Sequence, residues 1–269
     1  MDDSSPVKQA SHASSVGPVR QASHAGPVSP MRSVDRALAV LRCFDGEGLM
    51  LRPAEIARKL DLPGSTAHRL VRTLSDQQFL EPVGDGYQLG PAMVALGLIS
   101  FRGRGLQHVG PELGRLTRAT RATVDLAIRN GDSALLVAGG SLVKGSAPQI
   151  QRELHSTALG KVLLAWGRRG SSSRVDDLTP LTPRTERTIT DPRLLAAELD
   201  RVRTAGYAIN DRESAAGVRT VAVPILDGER IARFALAVRG TPDALPAVEI
   251  PRAVALAKNS ARALTPLLT

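Results

Sequence analysis

Hydrophobic positions between residues 33 and 74 recur with the period of an α-helix. Apolar side chains are spaced three and four residues apart in SVDRALAVLRCF (33–44), in PAEIARKL (53–60) and in STAHRLVRTL (65–74). This spacing predicts three amphipathic helices, each with one buried face. Two strand-like runs follow, FLEPV (79–83) and YQL (87–89), and the GDG between them is typical of a hairpin turn.

Helix, short helix, turn, helix and hairpin is the element order of a winged helix-turn-helix, whose second helix of the pair enters the DNA major groove. In that helix, predicted over 64–77, the apolar positions are Ala67, Leu70, Val71 and Leu74. The other positions are small, hydroxylic or basic: Ser65, Thr66, His68, Arg69, Arg72 and Thr73. Such groups contact phosphates and base edges. A merely solvated helix face has the same pattern, so the neighbouring turn and hairpin are what favour DNA binding.

A second interpretation keeps the winged helix but gives it another partner. The polar face of the third helix would then bind a protein instead of DNA. Salt distinguishes the two, because DNA binding through several phosphates releases counterions and weakens steeply as salt is added.

The segment PAMVALGLISFR (91–102) predicts a further helix with an apolar stripe. The stripe consists of Val94, Leu96, Leu98 and Ile99. We expect it to be a dimer contact, because it would otherwise face solvent. Gly103 and Gly105 then predict a flexible junction.

Beyond the junction, helical and strand-like patterns alternate and predict an α+β fold with a mainly antiparallel sheet. The predicted strands are TVDLAIR, SALLVAG, GYAIN, VRTVAVPIL and RIARFALAV, and the predicted helices include STALGKVLLAW, DPRLLAAELDRVRTA and a closing helix over 247–264. Residues 1–30 are rich in Ser, Ala, Pro and Gly and predict a disordered tail. The expected division is therefore a tail (1–30), a winged helix-turn-helix (31–90), a linker and dimerisation helix (91–105) and a second domain (106–269).

Charge adds little to the case for DNA. The net charge of the 269 residues is +9, but residues 31–102 hold nine Lys and Arg against eight Asp and Glu, whereas residues 103–269 hold twenty-four against sixteen. The single cysteine, Cys43, excludes an internal disulfide. Residues 1–10 lack the pattern of a secretory signal, and the longest apolar runs are too short to cross a bilayer. A cytoplasmic protein without a membrane partner is expected.

Enzyme chemistry finds no support in the motifs. His155, Ser156 and Lys161 are close in sequence, but they lack a plausible triad order. The segment ALGK lacks the glycine-rich lead of a phosphate loop, and no paired metal-ligand spacing occurs. We therefore expect no catalytic activity, no cofactor and no metal.

Two stretches resemble the IclR family of transcriptional regulators. The first runs from SVDRALAVLRCF through PAEIARKLDLPGSTAHRLVRTLSDQQFLEPVGDGYQLG. The second comprises RELHSTALGKVLLA and LTPRTERTITDPRLLAAELDRVRTAGYAINDRESAAGVRTVAVPI. The resemblance implies a repressor or activator that binds a pseudo-palindromic operator on double-stranded DNA as a dimer or tetramer. It also implies a C-terminal GAF- or PAS-like domain that senses a small molecule, often an organic acid.

The resemblance also implies site residues. The DNA contacts fall on Ser65, Thr66, His68, Arg69, Arg72 and Thr73 of the recognition helix, and on the wing near Asp85, Gly86 and Tyr87. Many members have Lys where this chain has Gly64, so one phosphate contact at the helix start is expected to be missing.

The implied effector pocket is formed by the start of the LHSTALGK helix, the loop after GYAIN and the next two strands. Its residues are Leu154, Ala158, Leu159, Asn210, Val218, Thr220, Ala237 and Arg239. Members that resemble small-oxoacid sensors tend to hold Asp, Cys, Ser and Ser where this chain has Asn210, Thr220, Ala237 and Arg239. If Arg239 points inward it can pair with a carboxylate or phosphate of the effector; the alternative is that it faces water. The segment between ALLVAGG and RELHSTALG borders this pocket and is a few residues shorter than is usual in the family, and GGSLVKGSAPQIQ (139–151) is unusual in composition.

Overall fold

The computed structural model describes residues 32–44, 50–143, 150–167, 175–178 and 180–268. The predicted disordered tail (1–30) lies outside these ranges. The described chain has a helix-turn-helix at its N-terminus, followed by a curled antiparallel sheet with helices packed on it. Within the described ranges, none of the helices combines the length and the apolar character that crossing a bilayer requires.

The N-terminal part has the predicted element order. Its elements are α1 (Arg32–Arg42), α2 (Pro53–Lys59), α3 (Gly64–Asp76), β1 (Leu80–Val83) and β2 (Gly86–Leu89). The three helices and the hairpin enclose a small core that includes Val40, Ile56, Val71 and Leu80. Because α2 and α3 share this core, the opposite side of α3 is left facing solvent.

The start of helix α4 (Pro91–Gly103) is joined by backbone hydrogen bonds to the turn that follows α3. The Ala92 N–H donates to the Gln78 carbonyl over 3.1 Å, and the Gly90 N–H donates to the Phe79 carbonyl over 2.8 Å. A Cβ on Gly90 would collide with the Gln78 carbonyl, so only glycine fits this approach. The first turn of α4 is thereby fixed to the helix-turn-helix.

The chain just beyond α4 is packed at Gly105, one of the two glycines of the predicted flexible junction. Gly105 has a left-handed backbone (φ 71°), and a Cβ there would collide with the carbonyl of Leu267. Leu106, which follows directly, is buried in the same core as Leu268. Glycine serves here for close approach between two backbones and not for mobility.

The C-terminal part contains one six-stranded sheet with the order β5-β4-β3-β8-β7-β6, in which all neighbours are antiparallel. Its strands are β3 (Thr123–Asn130), β4 (Ser133–Gly139), β5 (Gln151–Glu153), β6 (Ala208–Asp211), β7 (Arg219–Leu226) and β8 (Ala232–Gly240). Its helices are α5 (Gly110–Thr120), α6 (Gly140–Val143), α7 (Ala158–Ala165), α8 (Pro192–Ala205) and α9 (Ile250–Leu268). The predicted α+β fold is confirmed. The sequence did not predict β5 or α6, because elements of three and four residues are too short to show a period.

The two faces of this sheet carry different side chains. Helices α5 and α9 cover a face of large residues such as Leu126, Phe234 and Val238. Helices α7 and α8 cover the other face, where the strands present alanines, among them Ala222 and Ala237. Alternation along each strand separates the two sets. The small residues bring α7 close to the sheet, and the polar groups described below lie on this α7 face.

Candidate DNA-binding surface and effector site

Helix α3 divides as its sequence predicts. Ala67, Val71 and Leu74 are buried. Of the predicted DNA contacts on this helix, Thr66 is half-buried and the others are exposed, namely Ser65, His68, Arg69, Arg72 and Thr73. The helix begins at Gly64 after Pro63, so Ser65 and Thr66 lie in its first turn and do not cap it. The Thr73 hydroxyl donates to the Arg69 carbonyl over 3.0 Å. The exposed side of α3 thus offers hydroxyls, an imidazole and two guanidinium groups in adjacent turns.

The wing is attached to the start of α2. Tyr87 pairs with Pro82 in the hairpin and forms an isolated β-bridge with Leu51, which ties the residue pair before α2 to the edge of the wing. At the tip of the wing, Asp85 Oδ2 forms an ion pair with Arg52 Nη2, which lies 2.7 Å away. Tyr87 itself is half-buried against the N-terminal core. Sequence reasoning missed Arg52, because nothing local links a residue before α2 to a turn thirty positions later.

The residues of the implied effector pocket lie on elements of the α7 face. Leu154, Ala158 and Leu159 are buried around the start of α7. On the sheet, Asn210 pairs with Thr220 and Thr220 pairs with Arg239, so these three form one row across β6, β7 and β8. Buried Ala237 belongs to the next row, opposite Asp125 and Ala222. Val218 immediately precedes β7 and is half-buried.

Asn210 holds the loop that follows it. Its Oδ1 accepts the N–H groups of Glu213 and Ser214 at 2.8 and 3.3 Å, and its Nδ2 donates to the Ser214 hydroxyl over 2.6 Å. The side chain is buried. Its amide thus fixes the start of the β6–β7 loop.

Arg239 points toward a buried carboxylate. Its Nη2 donates to the Ser141 hydroxyl over 2.7 Å, and its Nε lies 3.6 Å from Asp125 Oδ2. Ser141 also donates to both oxygens of Asp125, through its N–H over 2.9 Å and its hydroxyl over 2.6 Å. Arg239 therefore does not simply face water, although 37% of its side chain is exposed.

Comparison with known proteins is consistent with both halves of this description. The IclR helix-turn-helix domain model matches residues 33–84, and the model of the bacterial transcriptional regulator IclR C-terminal domain matches residues 106–265. The chain belongs to the IclR family. It is a transcriptional regulator with a helix-turn-helix DNA-binding domain and a C-terminal effector-binding domain.

Individual relatives agree with this assignment. The HTH-type transcriptional regulator BhcR of Paracoccus denitrificans is 33% identical over 203 residues, which cover 72% of each chain. The glycerol operon regulatory protein of Streptomyces coelicolor is 30% identical over 246 residues, which cover 87% of this chain and 94% of its own. A crystal structure of an IclR transcriptional regulator from Silicibacter sp. TM1040 has a TM-score of 0.77 at 26% identity, covering 88% of this chain and 96% of that one.

A buried lysine holds the effector-binding part of this IclR-family regulator together. Lys161 on α7 is only 1% exposed, and its Nζ donates to Glu213 (2.7 Å), Glu198 (3.1 Å) and the Ile209 carbonyl (3.0 Å). One ammonium group thus ties α7 to α8, β6 and the β6–β7 loop. Burial raises the pKa of Glu213 even though Lys161 acts in the opposite direction.

The three residues considered for catalysis all make contacts within the domain, and Glu153 lies beside two of them, 2.9 Å from the Ser156 hydroxyl and 3.9 Å from His155 Nε2. His155 contacts the Thr182 carbonyl through Nε2 at 3.0 Å, and Ser156 donates to Glu153 over 2.9 Å. Lys161 is occupied by the contacts just described. These contacts tie the start of α7 to neighbouring parts of the same domain.

Proposed function

We propose that this regulator binds a pseudo-palindromic operator as a two-fold dimer, or as a tetramer built from such dimers, and reads each half-site with α3. The observation that carries the proposal is the exposed polar side of α3, where Arg69 and Arg72 extend into solvent one turn apart. In the major groove, each arginine can bind a guanine edge or a phosphate. Ser65, Thr66, His68 and Thr73 complete the proposed reading surface, and Tyr87 supports the wing.

Helix α4 supports the dimer. It buries none of its side chains fully, and Val94 and Ile99 are 64% and 67% exposed. The exposed apolar residues do not form the single expected stripe. At 100° per residue, Val94, Leu98 and Phe101 lie on one side of α4, and Leu96 and Ile99 lie on nearly the opposite side. Two unburied apolar sides on one helix favour contacts with a second copy of the chain.

This proposal assigns a function to each segment of the chain. The winged helix-turn-helix occupies 31–90, the linker and dimerisation helix occupies 91–105, and the effector-binding domain occupies 106–269. The effector would bind on the α7 face, against Leu154, Ala158, Leu159, Asn210, Val218, Thr220, Ala237 and Arg239. Regulation of this kind requires no catalysis, and we expect the protein to act in the cytoplasm, where its DNA is.

The test combines assembly with DNA binding. Genomic fragments that the protein retains define the operator, and sedimentation measures the mass of the free protein at micromolar concentration. Leu98→Glu should shift the protein toward monomer and weaken operator binding, because a charge would be buried in the α4 contact. Val248→Glu, at an apolar residue that is 81% exposed elsewhere, is the matched control. A wild-type protein that sediments only as a monomer would contradict the proposal.

The alternative partner of the winged helix, another protein, is tested in the same assay. Operator affinity should fall steeply with salt, because several phosphate contacts release counterions. An affinity for the retained fragments that hardly changes with salt would favour the protein-binding interpretation.

A further inference from the structure

The segment before α2 and the tip of the wing are packed against each other. Leu51 and Tyr87 exchange two backbone hydrogen bonds of 2.9 Å. Gly86 lies so close to Leu51 that a Cβ on this glycine would collide with the Leu51 carbonyl. The next residue, Arg52, is thereby placed beside the turn that carries Asp85. We refer to Arg52 and Asp85 as the wing pair.

The backbone of Arg52 is fixed, whereas its side chain extends into solvent. The Arg52 N–H donates to Glu55 Oε2 over 2.8 Å, and the Arg52 carbonyl accepts the N–H groups of Glu55 and Ile56 at 3.0 and 3.1 Å. The side chains of the wing pair are 56% exposed for Arg52 and 63% exposed for Asp85. An exposed ion pair contributes little to stability, so a second anion can displace the carboxylate without unfolding the domain.

The position of the wing pair points to the phosphate backbone of DNA. In a helix-turn-helix, the second helix of the pair lies in the major groove while the first crosses the backbone. Helix α2 is the first helix of the pair, and Arg52 directly precedes it. A guanidinium group at this place can bind a phosphate, whereas the carboxylate of Asp85 repels one.

The charge of the N-terminal part gives a single arginine unusual weight. Residues 31–102 hold nine Lys and Arg against eight Asp and Glu, which is a net charge of +1. Binding to DNA depends on cations that neutralise phosphates and release counterions. Asp85 cancels the charge of one of those nine cations while it is paired with Arg52. A phosphate that replaces Asp85 would therefore gain a cation in a domain that has few to spare.

We propose that Arg52 binds a phosphate of the operator, and that Asp85 holds its guanidinium group at the wing of the free protein and competes with that phosphate. Phosphate oxygens accept the same charge-assisted hydrogen bonds as carboxylate oxygens, and both fit the planar fork of a guanidinium group. The inference rests on the proposed operator binding. It adds a contact outside α3 and an internal group that lowers the affinity for DNA.

The experiment measures DNA binding by the full chain at several salt concentrations. Two duplexes of equal length are compared, the operator fragment that the protein retains and an unrelated sequence. The variants are Arg52→Gln, Asp85→Asn and the combination of both. Arg58→Gln and Asp76→Asn are the matched controls, because they make the same changes of charge at exposed residues of α2 and α3. Thermal unfolding checks that each protein is folded.

We expect Arg52→Gln to weaken binding about three- to tenfold on both duplexes and to lower the salt slope by about one phosphate contact. Arg52→Lys keeps the charge and should recover most of that slope. Asp85→Asn should bind DNA about threefold more tightly, which is the size expected for one exposed ion pair. This gain should be smaller in the presence of Arg52→Gln, because the carboxylate then has no arginine to hold.

Both control variants should change the affinity less than the variants of the wing pair do. If Arg52→Gln proves unstable, Asp85→Asn alone still tests the competition, and the absence of any gain in affinity would contradict it.

Four results would overturn the inference. They are wild-type affinity and salt slope in Arg52→Gln, a loss confined to the operator duplex, an equal loss in Arg58→Gln, and an equal gain from Asp85→Asn with and without Arg52. The last result would show that Asp85 repels DNA through its own charge and not through Arg52. A wild type without any preference for the operator would contradict the proposed reading by α3 alone, because the unrelated duplex still measures the contribution of Arg52.

Discussion

The outer side of α3 and the α7 face of the sheet both carry polar side chains, but those of α3 are exposed and those of the α7 face are bonded within their own domain. On α3, Arg69 and Arg72 extend into solvent. On the α7 face, Asn210 and Arg239 bond to neighbouring groups of their own domain. A surface for DNA can leave its cations solvated, because the partner supplies a dense row of charges. A pocket for a small molecule must fix its polar groups in advance, because the ligand offers few contacts to order them.

The largest expected effect is on stability, and it tests how much the contacts of Lys161 on the α7 face stabilise the domain. Lys161→Met should destabilise the effector-binding domain by about 3–5 kcal/mol, because the buried carboxylate of Glu213 loses its cation and half-buried Glu198 keeps only Arg201. Denaturant unfolding of the variant and of the wild type measures the difference. Lys161→Met combined with Glu213→Gln should recover part of the loss, and a Lys161→Met protein as stable as the wild type would show that the network contributes little.

The penalty of Lys161→Met should also depend on pH. Since burial raises the pKa of Glu213, its folded-state carboxyl takes up a proton at a higher pH than the unfolded one does. This contribution to stability is present in acid and is lost as the pH rises through the folded-state pKa. Without Lys161 the pKa rises further, so the penalty should be smaller at about pH 5 than at about pH 8. A penalty that grows toward acid would contradict this account of Glu213.

The next largest effect is expected on DNA binding by the exposed side of α3. Arg69→Ala and Arg72→Ala should each weaken operator binding by about 1–3 kcal/mol, or relax its sequence preference, with little change in the free energy of unfolding. Fluorescence anisotropy with operator and unrelated DNA measures both quantities. Arg118→Ala, at an exposed helical arginine of α5, is the control. If both variants bind the operator with wild-type affinity, the reading surface lies elsewhere.

The smallest expected effect comes from a substitution that adds a phosphate contact at the start of α3. A side chain at Gly64 meets open space, so Gly64→Lys can be made without a collision. It should strengthen DNA binding modestly and steepen the salt dependence by about one phosphate contact. Gly64→Gln, which supplies a side chain without charge, separates this gain from improved helix propensity. Equal salt slopes for the two variants would place residue 64 away from the phosphates.

The sequence predicted the N-terminal part well because its signals are local. The stripe of α3 and the GDG turn each lie within a few residues, and the structure has a helix and a hairpin at those places. The contacts of the α7 face depend on long-range strand register instead. Asp125 lies within 3.6 Å of Arg239 only because β3 pairs with β8, more than one hundred residues later. The alternation of hydrophobic and polar residues within each strand does not show which strand it pairs with.

The glycines of the linker show a different limit. Gly105 was expected to loosen the chain, because glycine is common in flexible segments. In the structure it lets the backbone pass close to Leu267. Composition alone does not separate these two uses of glycine, since the difference lies in which backbone is nearby.

Both ends of α4 are packed against backbone within the described chain. Its first turn is hydrogen-bonded to the turn that follows α3, and the chain just beyond its last turn is packed against α9. In the proposed dimer, a rotation of the effector-binding domain would therefore move α4 and, with it, the helix-turn-helix. The distance between the two copies of α3 would change, and binding to half-sites one helical turn apart depends on that distance.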